Sequence, residues 1–223
     1  MPTSKEADAQ QSRYWNSPVT APWVTLQDSL DLLFGPLSNA ALGHVMPQPG
    51  EYVVDVGCGC GATSLELARK VGLGGRVHGV DISAPMLAHA KERAATERLA
   101  QVTFTLADAA TYRFPSVRHD LIFSRLGAMF FGDPVAAFAN LRAALKPTGR
   151  MILACPRSAA ENRYISVAVQ AARPLLPAGA ITSPGPGQPG MFSLADSESV
   201  RSILGSAGFR DVALVAQIGR AHV

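Results

Sequence analysis

Charge is scarce in this sequence: Asp, Glu, Lys and Arg make up 17% of its 223 residues, against about 25% in an average soluble domain. With 48% apolar residues the chain can bury a sizeable core, which excludes general disorder. Lys and Arg number 20 against 17 Asp and Glu, and they form no block. That balance points to neither a nucleic-acid backbone nor an acidic membrane surface as partner. Cysteine is scarcer still. Three of them cannot close a disulfide framework, and Cys58 and Cys60 stand one residue apart, which fits a reducing, cytoplasmic setting. Together with the distant Cys155 they lack the ligand spacing of a zinc site, so no metal is expected. No apolar run approaches the ~18 residues of a membrane span. Met1–Ser12 is polar, without the apolar core of a signal peptide.

What is present alternates strand and helix over a length that fits one domain. Trp23, Leu26, Leu30 and Leu33 fall on one face of a helix over Ala21–Phe34, which Gly35-Pro36 should end. A shorter helix then covers about Leu37–Val45. Short apolar strands are expected at Tyr52–Val56, Arg76–Val80, Val102–Leu106, Asp120–Ser124 and Arg150–Ala154. Between them lie helices at Thr63–Val71 and Ala84–Arg98 and one capped by Asp133, with Pro134 at its first position and a buried stripe of Val135, Phe138, Leu141 and Leu145. The pattern loosens after Cys155. A helix at Glu161–Arg173, the Pro/Gly tract Ser183–Gly190 and a helix at Ser197–Ala207 follow, the last closed by a left-handed Gly208. Asp211–Ala216 reads as a sixth strand. Strands joined through helices need crossover connections, so the expected class is α/β: a Rossmann-like, doubly wound, mainly parallel sheet with helices on both faces. Sites in such sheets lie beyond the carboxyl ends of the strands, just after Val56, Val80, Leu106 and Ser124.

The densest chemical signal is Val53-Val54-Asp55-Val56-Gly57-Cys58-Gly59-Cys60-Gly61. Glycines at alternate positions after a strand let the backbone pass close beneath a ligand, and the helix that follows offers its N–H groups. Gly57-x-Gly59-x-x-Ala62 also fits a dinucleotide fingerprint, with Asp81 at the distance of a ribose carboxylate. Asp55 argues the other way, because its charge would face an incoming pyrophosphate. A carboxylate there suits a ligand with positive charge and no phosphate, such as S-adenosylmethionine with its sulfonium and ammonium groups.

Four segments then resemble one family, the class I, seven-stranded S-adenosylmethionine-dependent methyltransferases, in particular the small-molecule group with the type 11 domain. Val54–Gly61 looks like that family's first motif, and Gly79-Val80-Asp81-Ile82-Ser83 with Met86 like its second-strand motif. Ala107-Asp108-Ala109 looks like the adenine-side motif and Leu145–Arg150 like the turn into strand five. The resemblance covers about Ala21–Ala216. It implies that Gly57, Gly59 and Gly61 line the methionine part of the cofactor, that Cys58 is a cofactor-binding position, and that Asp55 organises the cofactor's amino group. By the same resemblance Asp81 takes both ribose hydroxyls, Ile82 and Met86 pack on the adenine, Asp108 and Ala109 meet its nitrogen edge, and Ser124 and Arg125 sit where methyl group and acceptor meet. Met86 also fits plain core packing, and Asp108 the cap of a short turn.

The implied reaction is methyl transfer to a small-molecule acceptor. A non-catalytic cofactor-binding protein of the same fold and an NAD-dependent oxidoreductase are the alternatives. The histidines assemble no site, and no catalytic residue is assigned. Ser124-Arg125-Leu126-Gly127 stands where DNA and glutamine amino-methylating enzymes carry Asp/Asn-Pro-Pro-Tyr/Phe, which argues against those acceptors. The expected layout is a helical lid at 1–50, a cofactor-binding core at 51–155, an acceptor-side insertion at 156–192, and a last helix and strand at 193–217. Trp15, Trp23 and Gln27 resemble lid positions; Phe130, Phe131, Asn162, Tyr164 and Phe192 are candidates for an apolar acceptor pocket. A seventh strand is not found. Ile218–Val223 matches a reading frame of a common sequencing-adapter oligonucleotide, and reads as a non-native tail on a truncated chain.

Overall fold

Tyr52–Val56, β1, is buried at four of its five positions, as expected of a strand covered on both faces. A computed structural model describes residues 3–114, 118–177 and 188–217. With Arg76–Asp81 as β2, Val102–Leu106 as β3, His119–Arg125 as β4 and Leu145–Ala154 as β5, the described residues form one sheet in the order β3-β2-β1-β4-β5, parallel throughout. Three helices precede it: α1 at Ser4–Trp15, α2 at Pro22–Thr25 and α3 at Gln27–Val45. Ala62–Val71 (α4) and Ala84–Thr96 (α5) connect the first three strands, and Pro134–Ala144 (α6) connects β4 to β5. Arg163–Ala172 (α7) and Ser197–Ser206 (α8) follow.

Alternation along the central strands divides the core. Val53, Leu121 and Phe123 pack with Leu42 and Val45 of α3 and Leu67, Ala68 and Val71 of α4. Val54, Val56 and Ile122 face the other way, onto Phe138 and Leu141 of α6 and Val200 and Leu204 of α8. This is the expected doubly wound arrangement. Asp133 caps α6 as expected, its Oδ1 accepting from the Ala136 N–H at 3.0 Å. Asp133→Ala should therefore lower stability by about 1 kcal/mol, measured by urea unfolding; an unchanged midpoint would show the cap to be idle.

Several boundaries differ from the sequence reading. Helix α3 runs through Gly35-Pro36 without ending. The hydrogen bond that proline cannot donate would have gone to the Leu32 carbonyl, and Leu32 is 82% exposed, so water can take its place. Leu26 and Leu33 are likewise exposed, and their stripe is not a core face. In α6, Val135 lies at the surface and Ala137 takes the buried position, while Leu145 belongs to β5. The expected turn at Lys146–Gly149 is folded into β5 as a bulge: the register steps from His119↔Leu145 to Leu121↔Arg150.

Gly208 adopts its left-handed cap at φ +88°, and the Phe209 N–H reaches back to the Leu204 carbonyl at 2.9 Å. The sixth strand expected at Asp211–Ala216 is not formed. The chain turns at Asp211, φ +56°, and the Val212 carbonyl accepts from Arg201 rather than from a strand. A strand needs a partner ladder, and this segment takes none from β5. Ile218–Val223 and most of the Ser183–Gly190 tract lie outside the described residues.

Candidate cofactor site

Out of β1 the chain enters three glycines in left-handed conformations, Gly57, Gly59 and Gly61, at φ +67°, +52° and +83°. Gly57 N–H donates to the Val80 carbonyl at 2.8 Å and Gly59 N–H to Asp81 Oδ2 at 2.7 Å. Asp81 Oδ1 accepts from Ser83 N–H at 2.8 Å. Asp81 thus ties the glycine loop to the end of β2, and each of its oxygens keeps a second lone pair. Burial raises its carboxyl above the ordinary range.

The glycines serve packing more than the sequence reading allows. A Cβ on Gly57 would lie 2.6 Å from Gly127 Cα, and one on Gly61 would lie 3.0 Å from Ala90 Cβ and 3.2 Å from Phe104 Cζ. Both clashes are with protein, not with ligand space. At Gly59 the nearest atom is Met86 Sδ at 3.7 Å, an ordinary contact, so there the backbone angle alone demands glycine.

One cleft opens beyond the carboxyl ends of the strands. It gathers Gly57, Cys58, Gly59, Asp81, Ile82, Met86, Asp108, Ala109 and Arg125. Cys58 contributes backbone: its thiol lies under the loop, 2.9 Å from where a Cβ on Gly79 would be, and burial raises it well above its usual range. Met86, 5% exposed, is both core and wall. Asp108 also has two roles. Its Oδ1 caps a turn by accepting from Ala110 N–H at 2.8 Å, and Oδ2 remains for a ligand.

Three expected residues do not reach the cleft. Gly61 is the buried N-cap of α4. Ser124 is 1% exposed; its hydroxyl donates to the Val56 carbonyl at 2.8 Å and accepts from Ala128 N–H at 3.1 Å. It pins β4 to β1, with its hydroxyl spent on backbone. Asp55 is fully buried, its Oδ2 accepting from Thr63 Oγ1 at 2.7 Å and Ser64 Oγ at 2.6 Å, with Oδ1 left without a partner among the described residues.

Asp55 is pushed up to about 6, first by burial, against the opposing pull of the Ser64 and Thr63 hydroxyls and the Arg125 charge. Unfolded, the carboxyl titrates near 3.9. Between about 3.9 and 6 the folded chain holds a proton that the unfolded chain has lost, so stability falls as pH rises through that window. Asn at this position keeps one acceptor for both hydroxyls and carries no charge. Asp55→Asn should be about 1–2 kcal/mol more stable than the parent near pH 7.5 and lose that advantage toward pH 4. Urea titrations at the two pH values check it; a destabilised variant near pH 7.5 would contradict it.

The N-terminal helices roof the cleft. Trp15 makes edge contacts with Trp23 at 5.8 Å and Phe130 at 5.3 Å, and Trp23 stacks on Phe34 at 6.2 Å. Asn16 clamps this roof to the β2–α5 turn: its Nδ2 donates to the Ile82 carbonyl at 2.8 Å and its Oδ1 accepts from Ala84 N–H at 2.9 Å. Asp8 Oδ1 accepts from Gly132 N–H at 3.0 Å. Arg93 joins Asp31 of α3 at 2.7 Å to the Cys60 carbonyl at 3.1 Å. Asn16, Asp31 and Arg93 were not legible as site residues, because each reads as an ordinary surface polar group. Phe130, Phe131 and Asn162 line the cleft and Phe192 does not; Asn162 Nδ2 is spent on the Arg157 and Ser158 carbonyls. The Tyr164 side chain lies outside the described residues. Among the described residues no group of His, Cys, Asp or Glu is placed to hold a metal ion, and no helix is long and apolar enough to cross a membrane.

Comparison with known proteins meets this geometry. Residues 53–149 match the family described as "Methyltransferase domain". Nocamycin O-methyltransferase of Saccharothrix syringae is 37% identical over 123 residues, 55% of this chain and 44% of that protein. Aklanonic acid methyltransferase DauC of Streptomyces sp. (strain C5) is 34% identical over 123 residues, 55% of this chain and 56% of that protein. The chain spans about half the length of these curated relatives. The structure of Haemonchus contortus phosphoethanolamine N-methyltransferase 2, in complex with phosphomonomethylethanolamine and S-adenosylhomocysteine, aligns with TM-score 0.57 at 27% identity, over 78% of this chain and 37% of that one. A methyltransferase structure from Aquifex aeolicus at 20% identity, TM-score 0.58, shares the fold over 94% of this chain and 90% of its own. Residues 53–149 thus carry a methyltransferase domain of the class I, S-adenosylmethionine-dependent kind.

Proposed function

We propose that this chain transfers a methyl group from S-adenosylmethionine to a small-molecule acceptor. The observation that carries the reading is the joining, in one cleft, of a left-handed glycine loop with Asp81 at the end of β2 and Asp108 past β3. When bound, the cofactor supplies a methyl group on a sulfonium already activated for in-line displacement.

The chain's own residues bind and orient. Asp81, held by two backbone N–H groups, offers a lone pair from each oxygen to a pair of ribose hydroxyls. Ile82 and Met86 flank the adenine, and Asp108 with Ala109 addresses its nitrogen edge. Asp55 lies beneath the loop and outside the cleft, so only its charge acts on the positive end of the ligand. Trp15, Trp23, Phe34 and Phe130 form an aromatic roof that excludes water and receives an apolar acceptor. Alignment and desolvation then do most of the chemistry, and a base is needed only where the acceptor carries a proton. Residues 156–192 are read as the acceptor side. The relatives' names, with O- and N-methylation of small molecules among them, support a small acceptor and leave its atom open. Unpaired Cys58, Cys60 and Cys155 support a cytoplasmic setting.

Calorimetry tests the cofactor. S-adenosylmethionine and S-adenosylhomocysteine should bind with about micromolar Kd, roughly −8 kcal/mol, and NAD should give no heat. NAD binding without response to either sulfur ligand would overturn the reading, and turnover against an acceptor library separates an enzyme from a binding protein.

A further inference from the structure

Arg125 closes β4 and brings into the cleft a cation with no ion pair in contact among the described residues. Its guanidinium lies over the Phe34 ring, Cζ 5.4 Å from the centroid, and one terminal nitrogen donates to Ser38 Oγ at 3.2 Å. Its Nε is buried without a partner among the described residues. Both contacts are with neutral groups. Of the carboxylates nearby, Asp31 pairs with Arg93 at 2.7 Å, and Asp55, whose charge acts on Arg125, keeps Oδ2 on Thr63 and Ser64 and makes no ion-pair contact with the guanidinium. No ion pair among the described residues includes Arg125.

A desolvated guanidinium without an anion in contact is costly, and its planar fork of donors matches the two oxygens of a carboxylate, the anionic group that S-adenosylmethionine carries, as it does those of a phosphate. The charge stands in the wall of the same cleft, against Phe34 of the aromatic roof. We propose that Arg125 anchors a carboxylate of the bound ligand. The proposal rests on the methyl-transfer reading for the ligand's identity alone. The carboxylate belongs either to the amino-acid end of the cofactor or to an acidic acceptor beneath the aromatic roof.

Titration calorimetry on the wild type, Arg125→Gln and Arg125→Lys separates the two sources, with three probes: S-adenosylmethionine, its decarboxylated form, and benzoate as an aromatic carboxylate. For a cofactor carboxylate, Arg125→Gln weakens S-adenosylmethionine about tenfold or more, Arg125→Lys less, and the decarboxylated form is unaffected. For an acceptor carboxylate, cofactor affinity is the same in all three proteins, and benzoate bound by the wild type is lost in Arg125→Gln. Either pattern supports the anchor. Arg125→Gln matching the wild type with every probe overturns it. Should the variants unfold, the wild type decides alone: equal affinity for both cofactor forms together with no benzoate binding overturns the proposal. A wild type that binds neither cofactor form defeats the methyl-transfer reading instead, and benzoate still reports on Arg125.

Discussion

Replacing Asp81 with Ala is expected to raise the Kd for S-adenosylhomocysteine about 100-fold, near 2.7 kcal/mol. The expectation has two parts. In the proposed complex Asp81 accepts from two ribose hydroxyls, and hydrogen bonds to a charged group contribute about 1.5–3 kcal/mol each. The same carboxylate also holds the empty site in shape, because Gly59 N–H and Ser83 N–H both end on it. Alanine leaves two donors without acceptors, and the Gly59 N–H loses the carboxylate that ties the loop to β2. Calorimetry reads the first part and urea unfolding the second, where a loss of about 2 kcal/mol is expected. Asp81→Asn separates them further. It keeps one acceptor oxygen and should restore much of the stability while recovering less of the affinity. A Kd for Asp81→Ala within threefold of the wild type would remove Asp81 from the ligand site and leave it a role in folding alone.

The loop and its carboxylate partner were legible because a glycine run after an apolar strand, followed by Asp after the next strand, has few other uses. The parallel sheet was legible for a similar reason: Val53, Val54 and Val56 in β1 and Leu121–Phe123 in β4 put apolar residues on both faces of their strands, leaving no wet face, and 10- to 13-residue helices separate the first three strands. The errors have physical causes. Ser124 looked like a site residue from its place after an apolar run, but its hydroxyl is satisfied by the backbone of β1, which only the pairing of β1 with β4 reveals. Pro36 looked like a helix end because local sequence does not say whether water can reach the carbonyl it leaves unpaired. The expected sixth strand had the right composition, yet strand formation depends on a partner edge, and alternation in one segment carries no information about that edge. The clamps at Asn16 and Asp8 join residues 66 and 124 positions apart from their partners, beyond the reach of any local pattern.

The second large effect separates two glycines that a motif treats as equals. Gly57→Ala and Gly59→Ala share one penalty, since both positions have left-handed φ, worth about 1–2 kcal/mol for a residue with a Cβ. They differ in what the Cβ meets. At Gly57 it would stand 2.6 Å from Gly127 Cα, while a Cβ on Gly127 would stand 2.7 Å from the Val56 carbonyl and 2.8 Å from Gly57 Cα. The two backbones are back to back, and neither can withdraw without breaking the β1–β4 pairing beneath them. Gly57→Ala should therefore cost about 3 kcal/mol or more of stability, combining backbone strain with overpacking. At Gly59 the new methyl meets only Met86 Sδ at 3.7 Å, so stability should fall by the shared 1–2 kcal/mol or so. Its methyl still enters the cleft, and Gly59→Ala should lose cofactor affinity out of proportion to its stability. Urea unfolding and calorimetry on both variants test the distinction. Equal destabilisation of the two would mean that Gly127 yields, and that the loop is built for its ligand more than for the fold. The expected divergence would instead show one motif carrying two functions: Gly57 fastening β1 to the end of β4, and Gly59 leaving the surface on which the cofactor rests.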